Sequence, residues 1–136
     1  MMTFNVSAKR VDENGSLATA ENAQIFMDTG MVKSGEAFNP VELLLAALSA
    51  CMIKGIERVV PALTFQLDGV EIELKAQRPE AEARIESIEY SIVVETNEED
   101  RRLDLLHENV RKFGTIFNTV AQGTNLTGTL TRKIVQ

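Results

Sequence analysis

A chain of 136 residues, 44% hydrophobic and 25% charged, fits one soluble domain large enough to fill a core without staples. Its net charge is −6, it has no basic block, and its aromatics are six phenylalanines, one tyrosine and no tryptophan. That balance argues against nucleic-acid binding, which needs clustered Lys and Arg, and a single cysteine excludes a disulfide framework within the chain.

The opening "MMTFNVSAKR" lacks the apolar run of about 7–15 residues that marks a signal peptide, so the expected setting is cytoplasmic and thiol-reducing. Residues 3–12, "TFNVSAKRVD", alternate apolar and polar side chains with a late slip and read as a strand. "ENGS" at 13–16 carries the Asn-Gly signal of a hairpin turn. A second strand over 17–21 and a third over 23–30, stopped by Gly30, follow, and the stretch 30–38 reads as a loop.

A long helix comes next. Asn39 is a good N-cap, Pro40 falls at the first helical position, and Glu42 three residues after Asn39 completes a capping box. From 41 to 60 the strongly polar residues are only Glu42, Ser49, Lys54, Glu57 and Arg58. A helix apolar on nearly all sides must be covered on nearly all sides, and a second subunit is the simple cover. The apolar run at 40–53 is too short to span a bilayer. Pro61 is expected to end the helix.

"TFQLDGVEIELKAQ" at 64–77 alternates as a strand with a phase break at Asp68-Gly69, and "RPEAEA" at 78–83 is a polar turn. "RIESIEYSIVVET" at 84–96 puts Ile88, Tyr90, Ile92 and Val94 on one face of a half-exposed antiparallel partner. Asn97 can cap a helix over 98–113, with Leu103, Leu106, Val110 and Phe113 as its stripe and Gly114 in the place of a C′ glycine. A short helix over 115–122 and a last strand over 125–135 complete the order β-β-β-α-β-β-α-α-β, an α+β chain with no repeat and no linker.

"NPVELLLAALSAC" at 39–51 resembles the central-helix motif of the OsmC/Ohr family, and "FGTIFNTVAQGTNLTGTLTRK" at 113–133 resembles that family's second motif, which carries Cys-Pro-Val before the last strand. Together with length and element order, the resemblance covers nearly the whole chain. It implies an intertwined homodimer with two long central helices inside antiparallel sheets and a site at the subunit interface. In the hydroperoxide-reducing members, the first cysteine attacks the peroxide while an Arg and a Glu hold it as thiolate. The second cysteine then closes a disulfide that a dithiol reopens.

Cys51 matches the first cysteine, but the second position falls on Gly114, and the acid directly after the motif proline is Val41 here. Glu42 is acidic but sits one residue later, about 100° further round the helix. Arg10 is the nearest candidate for the family's arginine.

The catalytic candidates are therefore Cys51, Glu42 and Arg10, each with a plainer reading beside it. Buried cysteines mostly act as small hydrophobes, whereas a reactive one needs nearby positive charge to lower a thiol pKa from about 8.5. Lys54 and Arg58 share its helix face. Glu42 is explained by capping, and Arg10 by a solvated strand end. His107, the only histidine, reads as surface or interface packing in an amphipathic helix. One His and one Cys do not make a metal site, and no P-loop or dinucleotide fingerprint is present, so no metal or cofactor is expected. The predicted activity is thiol-dependent reduction of a small hydroperoxide in a one-cysteine cycle, with an external thiol as reductant. The alternative is a redox-inactive member that binds a small apolar ligand. No nucleic-acid or membrane partner is expected.

Overall fold

A computed structural model describes residues 1–136, and the chain forms two compact units, Met1–Leu44 and Leu45–Gln136. The element order is the one read from the sequence: β1 Ser7–Arg10, β2 Gly15–Ala20, β3 Ala23–Asp28, α1 Pro40–Leu63, β4 Gly69–Gln77, β5 Ser87–Glu95, α2 Asp100–Phe113, α3 Thr115–Ala121 and β6 Asn125–Lys133. No helix is long and apolar enough to cross a membrane.

In the first unit, β1, β2 and β3 form an antiparallel meander with Arg10 opposite Ser16 and Ala20 opposite Ala23. The Asn14-Gly15 pair does not make the first turn, because Gly15 already opens β2. Asp12 makes it instead: its Oδ1 accepts the N–H groups of Asn14 at 2.8 Å and Gly15 at 3.0 Å, an Asx turn that competes with the tight hairpin. β1 is also shorter than the alternation suggests and exposed along its whole length.

In the second unit, β4 and β5 pair antiparallel from Gly69↔Glu95 to Gln77↔Ser87. The phase break at Asp68-Gly69 is the start of the strand rather than a bulge within it. β6 returns parallel to β5, with Ser87 opposite Asn125, so this sheet is mixed where antiparallel sheets were expected. The cause is the crossover: α2 and α3 together return the chain to the end of the sheet where β5 began. Ile88, Tyr90, Ile92 and Val94 of the central strand are buried, as the period of two requires.

Helix α1 buries Leu48, Met52, Ile56 and Val59, a stripe at helical spacing. Gly55 lies on this face, and a Cβ there would stand 3.6 Å from Val110 of α2, so α1 and α2 pack closely. Pro61 does not end α1; it sits in the last turn, and the helix runs on to Leu63. Its end is a Schellman motif, in which Phe65 N–H donates to the Val60 carbonyl at 2.9 Å and Thr64 N–H to the Pro61 carbonyl at 3.3 Å. Thr64 holds the left-handed position at φ 48°, where glycine is the usual occupant. The guanidinium of Arg102 on α2 donates to the Leu63 carbonyl and pairs with Glu98 at 2.9 Å, which satisfies another orphan group at this end.

Two more expectations about α2 are corrected. Glu99, not Asn97, precedes its first turn, because the Asn97 side chain is already used as acceptor for the Val135 N–H at 3.0 Å. Phe113 leaves the buried stripe and is exposed, with the Lys112 ammonium 5.3 Å from its ring centre.

The strained residue gives a test. Thr64→Gly raises unfolding stability by about 0.5–1 kcal/mol, because a β-branched residue is costly at positive φ. Urea denaturation checks it as a higher midpoint at unchanged slope.

Candidate functional site

Cys51 lies in the middle of α1, partly exposed, packed against the buried cluster that includes Leu48, Met52 and Phe117. What stands over its sulfur is the backbone at Gly114. A Cβ placed on Gly114 would lie 3.0 Å from Cys51 Sγ, 3.0 Å from Phe117 Cβ and 3.1 Å from the Val110 carbonyl oxygen. The residue is not the left-handed helix stop expected from the sequence, since its φ of −76° and ψ of 117° are extended. It serves both as the end of α2 and as the residue before α3, and a side chain there would be crowded by its neighbours rather than strained by the backbone.

The 3.0 Å figure has a chemical meaning. Across a pair of bonded sulfurs, the Cβ of one cysteine lies about 3 Å from the sulfur of the other. The fold therefore brings together the two positions, 51 and 114, that the motifs single out, and one of them carries no side chain.

Glu42 and Arg10 belong to the first unit. Asn39 and Glu42 form the capping box read from the sequence: Asn39 Oδ1 accepts the Glu42 N–H at 2.9 Å, and Glu42 Oε1 accepts the Asn39 N–H at 3.0 Å. The other carboxylate oxygen takes Lys33 Nζ at 2.6 Å. The ammonium of Lys33 and then the Asn39 N–H hold the Glu42 carboxyl below its ordinary pKa. Lys33 was not foreseen as the partner; nine residues away in a loop, it shares no periodic spacing with Glu42. Arg10 is exposed at the end of β1 and takes no part in the ion pair of Glu42. Lys54 and Arg58 are exposed on α1.

The loop that leads to α1 is fixed by Asp28, which is buried at the end of β3. Its Oδ2 accepts the N–H of Ser34 at 2.8 Å and the Ser34 hydroxyl at 3.2 Å, and its Oδ1 accepts the Gly30 N–H at 3.2 Å. These donors, the Ser34 N–H foremost, lower its pKa.

Behind Phe117 lies a polar pair missed in the sequence. The Tyr90 hydroxyl and His107 Nε2 are 2.6 Å apart, and the Tyr90 ring makes edge contacts with both His107 and Phe117. Burial raises the Tyr90 pKa; burial and then Arg111 lower that of His107. Both groups are thus neutral near pH 7, and one proton lies between the phenol oxygen and Nε2. The signal was available: a tyrosine on the apolar face of a strand needs a partner for its hydroxyl, and the chain has one histidine on a helix that must cover that sheet. Gly128 on β6 leaves room for this ring, since a Cβ there would fall 2.4 Å from it.

A family model described as OsmC-like protein matches residues 33–128. Among curated proteins, none matches the chain. Solved structures do. An OsmC-like protein from Mycoplasma pneumoniae is 15% identical, with a TM-score of 0.88 over 99% of both chains. A hypothetical protein from Aquifex aeolicus VF5 is 21% identical, with a TM-score of 0.85 over 100% of both. The organic hydroperoxide resistance protein OhrB of Bacillus subtilis is 19% identical, with a TM-score of 0.64 over 95% of this chain and 98% of its own.

Two outcomes test this geometry. Gly114→Cys treated with a mild oxidant loses both free thiols as an intrachain bond to Cys51 forms, read by thiol titration, while Gly114→Ala loses about 1–3 kcal/mol of stability to overpacking. For His107, the folded pKa lies below the ordinary 6.5, so its contribution is complete above 6.5 and is lost as pH falls through the folded value. Stability measured by denaturation therefore declines on acidification below pH 6.5, and His107→Gln flattens that part of the decline.

Proposed function

Because the chain belongs to the OsmC-like protein family, we propose that it reduces small hydroperoxides with the Cys51 thiolate, in a cycle that uses a single protein sulfur. The observation that carries this reading is the contact between Cys51 Sγ and the place of a side chain at 114, which sets Cys51 at the position where the two motifs converge. Thiolate sulfur attacks the terminal peroxide oxygen, the O–O bond breaks, and the alkoxide leaves with a proton as an alcohol. Cys51 becomes a sulfenic acid. With no other cysteine in the chain, an external thiol attacks that sulfur, releases water and leaves a mixed disulfide. A second thiol frees Cys51 as the small disulfide departs. Such a cycle needs a reducing compartment, and the cytoplasm is the assignment that goes with it.

In this reading, Cys51 is the nucleophile and Arg10 is the cation assigned to the thiolate. Glu42 acts through the start of α1, which it fixes together with Asn39 and Lys33.

The working unit of the proposal is a homodimer. The first unit exposes Phe4, Val6, Ile25, Phe26, Met31 and Val32, more apolar surface than isolated soluble chains tend to leave uncovered, and α1 adds Val41 and Ile53. A second copy is the partner that the near-continuous apolar character of α1 calls for.

The test is hydroperoxide consumption with excess 2-mercaptoethanol. The wild-type protein turns over, and Cys51→Ser falls to the uncatalysed rate. Equal rates for the two proteins would remove the enzymatic reading and leave the fold as a binding module.

A further inference from the structure

Resting on the one-sulfur cycle, we infer that the groove along α2 is where the external reductant docks, and that its occupant is a carboxylate-bearing peptide thiol. Asp104, His107, Glu108 and Arg111 recur at spacings of three, one and three residues, which sets them along one face of the helix. With Lys112 and Phe117 they line a groove of about 410 Å³, within the usual size of small-ligand sites. Charge changes sign along it, with Asp104 and Glu108 towards one end and Arg111 and Lys112 towards the other. The ion pairs of the chain leave all four unengaged.

The dimensions match the ligand class. From Asp104 to Arg111 the helix rises about 10 Å, and three extended residues span about 10–11 Å. A peptide thiol of that length carries an ammonium group that suits the acidic end and a carboxylate that suits a guanidinium. The groove and the sulfur share Phe117 as a neighbour: Phe117, which lines the groove, has its Cβ 3.0 Å from a Cβ placed on Gly114, and Cys51 Sγ stands 3.0 Å from the same point, while Lys112 at the basic end stands two residues before Gly114. In this inference, a thiol held in the groove reaches the sulfenic acid past Phe117 and Gly114. The step balances: the peptide S–H and the Cys51 S–OH give an S–S bond and water.

The experiment measures mixed-disulfide formation at Cys51 by mass spectrometry with two probes, glutathione disulfide and the uncharged 2-hydroxyethyl disulfide. The ratio of the two rates falls about tenfold in Arg111→Gln, the size of one charge-assisted hydrogen bond. It is unchanged in Arg78→Gln, which removes the same charge in the connection between β4 and β5. A ratio that stays put in Arg111→Gln, that moves equally in Arg78→Gln, or an absence of exchange with both probes overturns the inference. No hydroperoxide is used, so a failure of peroxide turnover and a failure of the groove are read separately.

Discussion

The backbone at Gly114 comes so near Cys51 Sγ that a single methyl group would touch it, and three local contacts of α2 bear on that approach. Gly55 lets α2 settle against α1 at Val110. Tyr90 and His107 tie the same helix to the central strand. Arg102 ties its first turn to the end of α1 through the Leu63 carbonyl, with Glu98 completing the pair. Each of these is a polar or small-residue device inside an otherwise hydrocarbon interface, and such devices fix one arrangement where apolar packing alone tolerates several. A displacement of α2 by a fraction of an ångström would alter how open the sulfur is, which is why a reactive residue is better placed under rigid elements than under a loop.

The elements themselves were legible because burial has a period. β5 shows it in Ile88, Tyr90, Ile92 and Val94, and α1 in Leu48, Met52, Ile56 and Val59. The capping box was legible because it is local: Asn39 and Glu42 are three residues apart. What escaped was either non-local or a competition between two local rules. Lys33 on Glu42, and Arg102 on the Leu63 carbonyl, join segments with no fixed spacing. At the first hairpin, Asp12 won over Asn14-Gly15 as turn former. At Pro61, a missing N–H in the final turn was tolerated, and Thr64, an unlikely residue for the task, closed the helix. Gly114 was placed correctly between two helices for the wrong reason, since crowding by Cys51 and Phe117 is invisible in a single sequence.

Structures 15% and 21% identical share this fold over essentially their whole length, so what persists is the pattern of apolar positions and the order of elements. Activity is a narrower matter. The chain keeps a sulfur at 51 and replaces side chains at 41 and 114, both at the motif positions that give related proteins their chemistry by resemblance. A scaffold of this kind can retain its shape with one protein sulfur where the resemblance implies two. The difference lies in a handful of atoms, at Val41 in the first turn of α1 and at Gly114 between α2 and α3, and the sheets do not register it.

The parallel pairing of β6 with β5 has a consequence for how the chain condenses. β4 and β5 meet across a nine-residue connection, so that hairpin can form early and locally. β6 has no such shortcut: Asn125 must find Ser87 after the whole of α2 and α3 has been laid down, and the loop entropy of that closure is met in one late step. Until then, one edge of β5 is bare and the shelf of Ile88, Tyr90 and Ile92 is open on that side. On a ribosome, β6 emerges after β4 and β5, and the nascent chain passes through an interval in which the buried central strand of this sheet has a vacant neighbour.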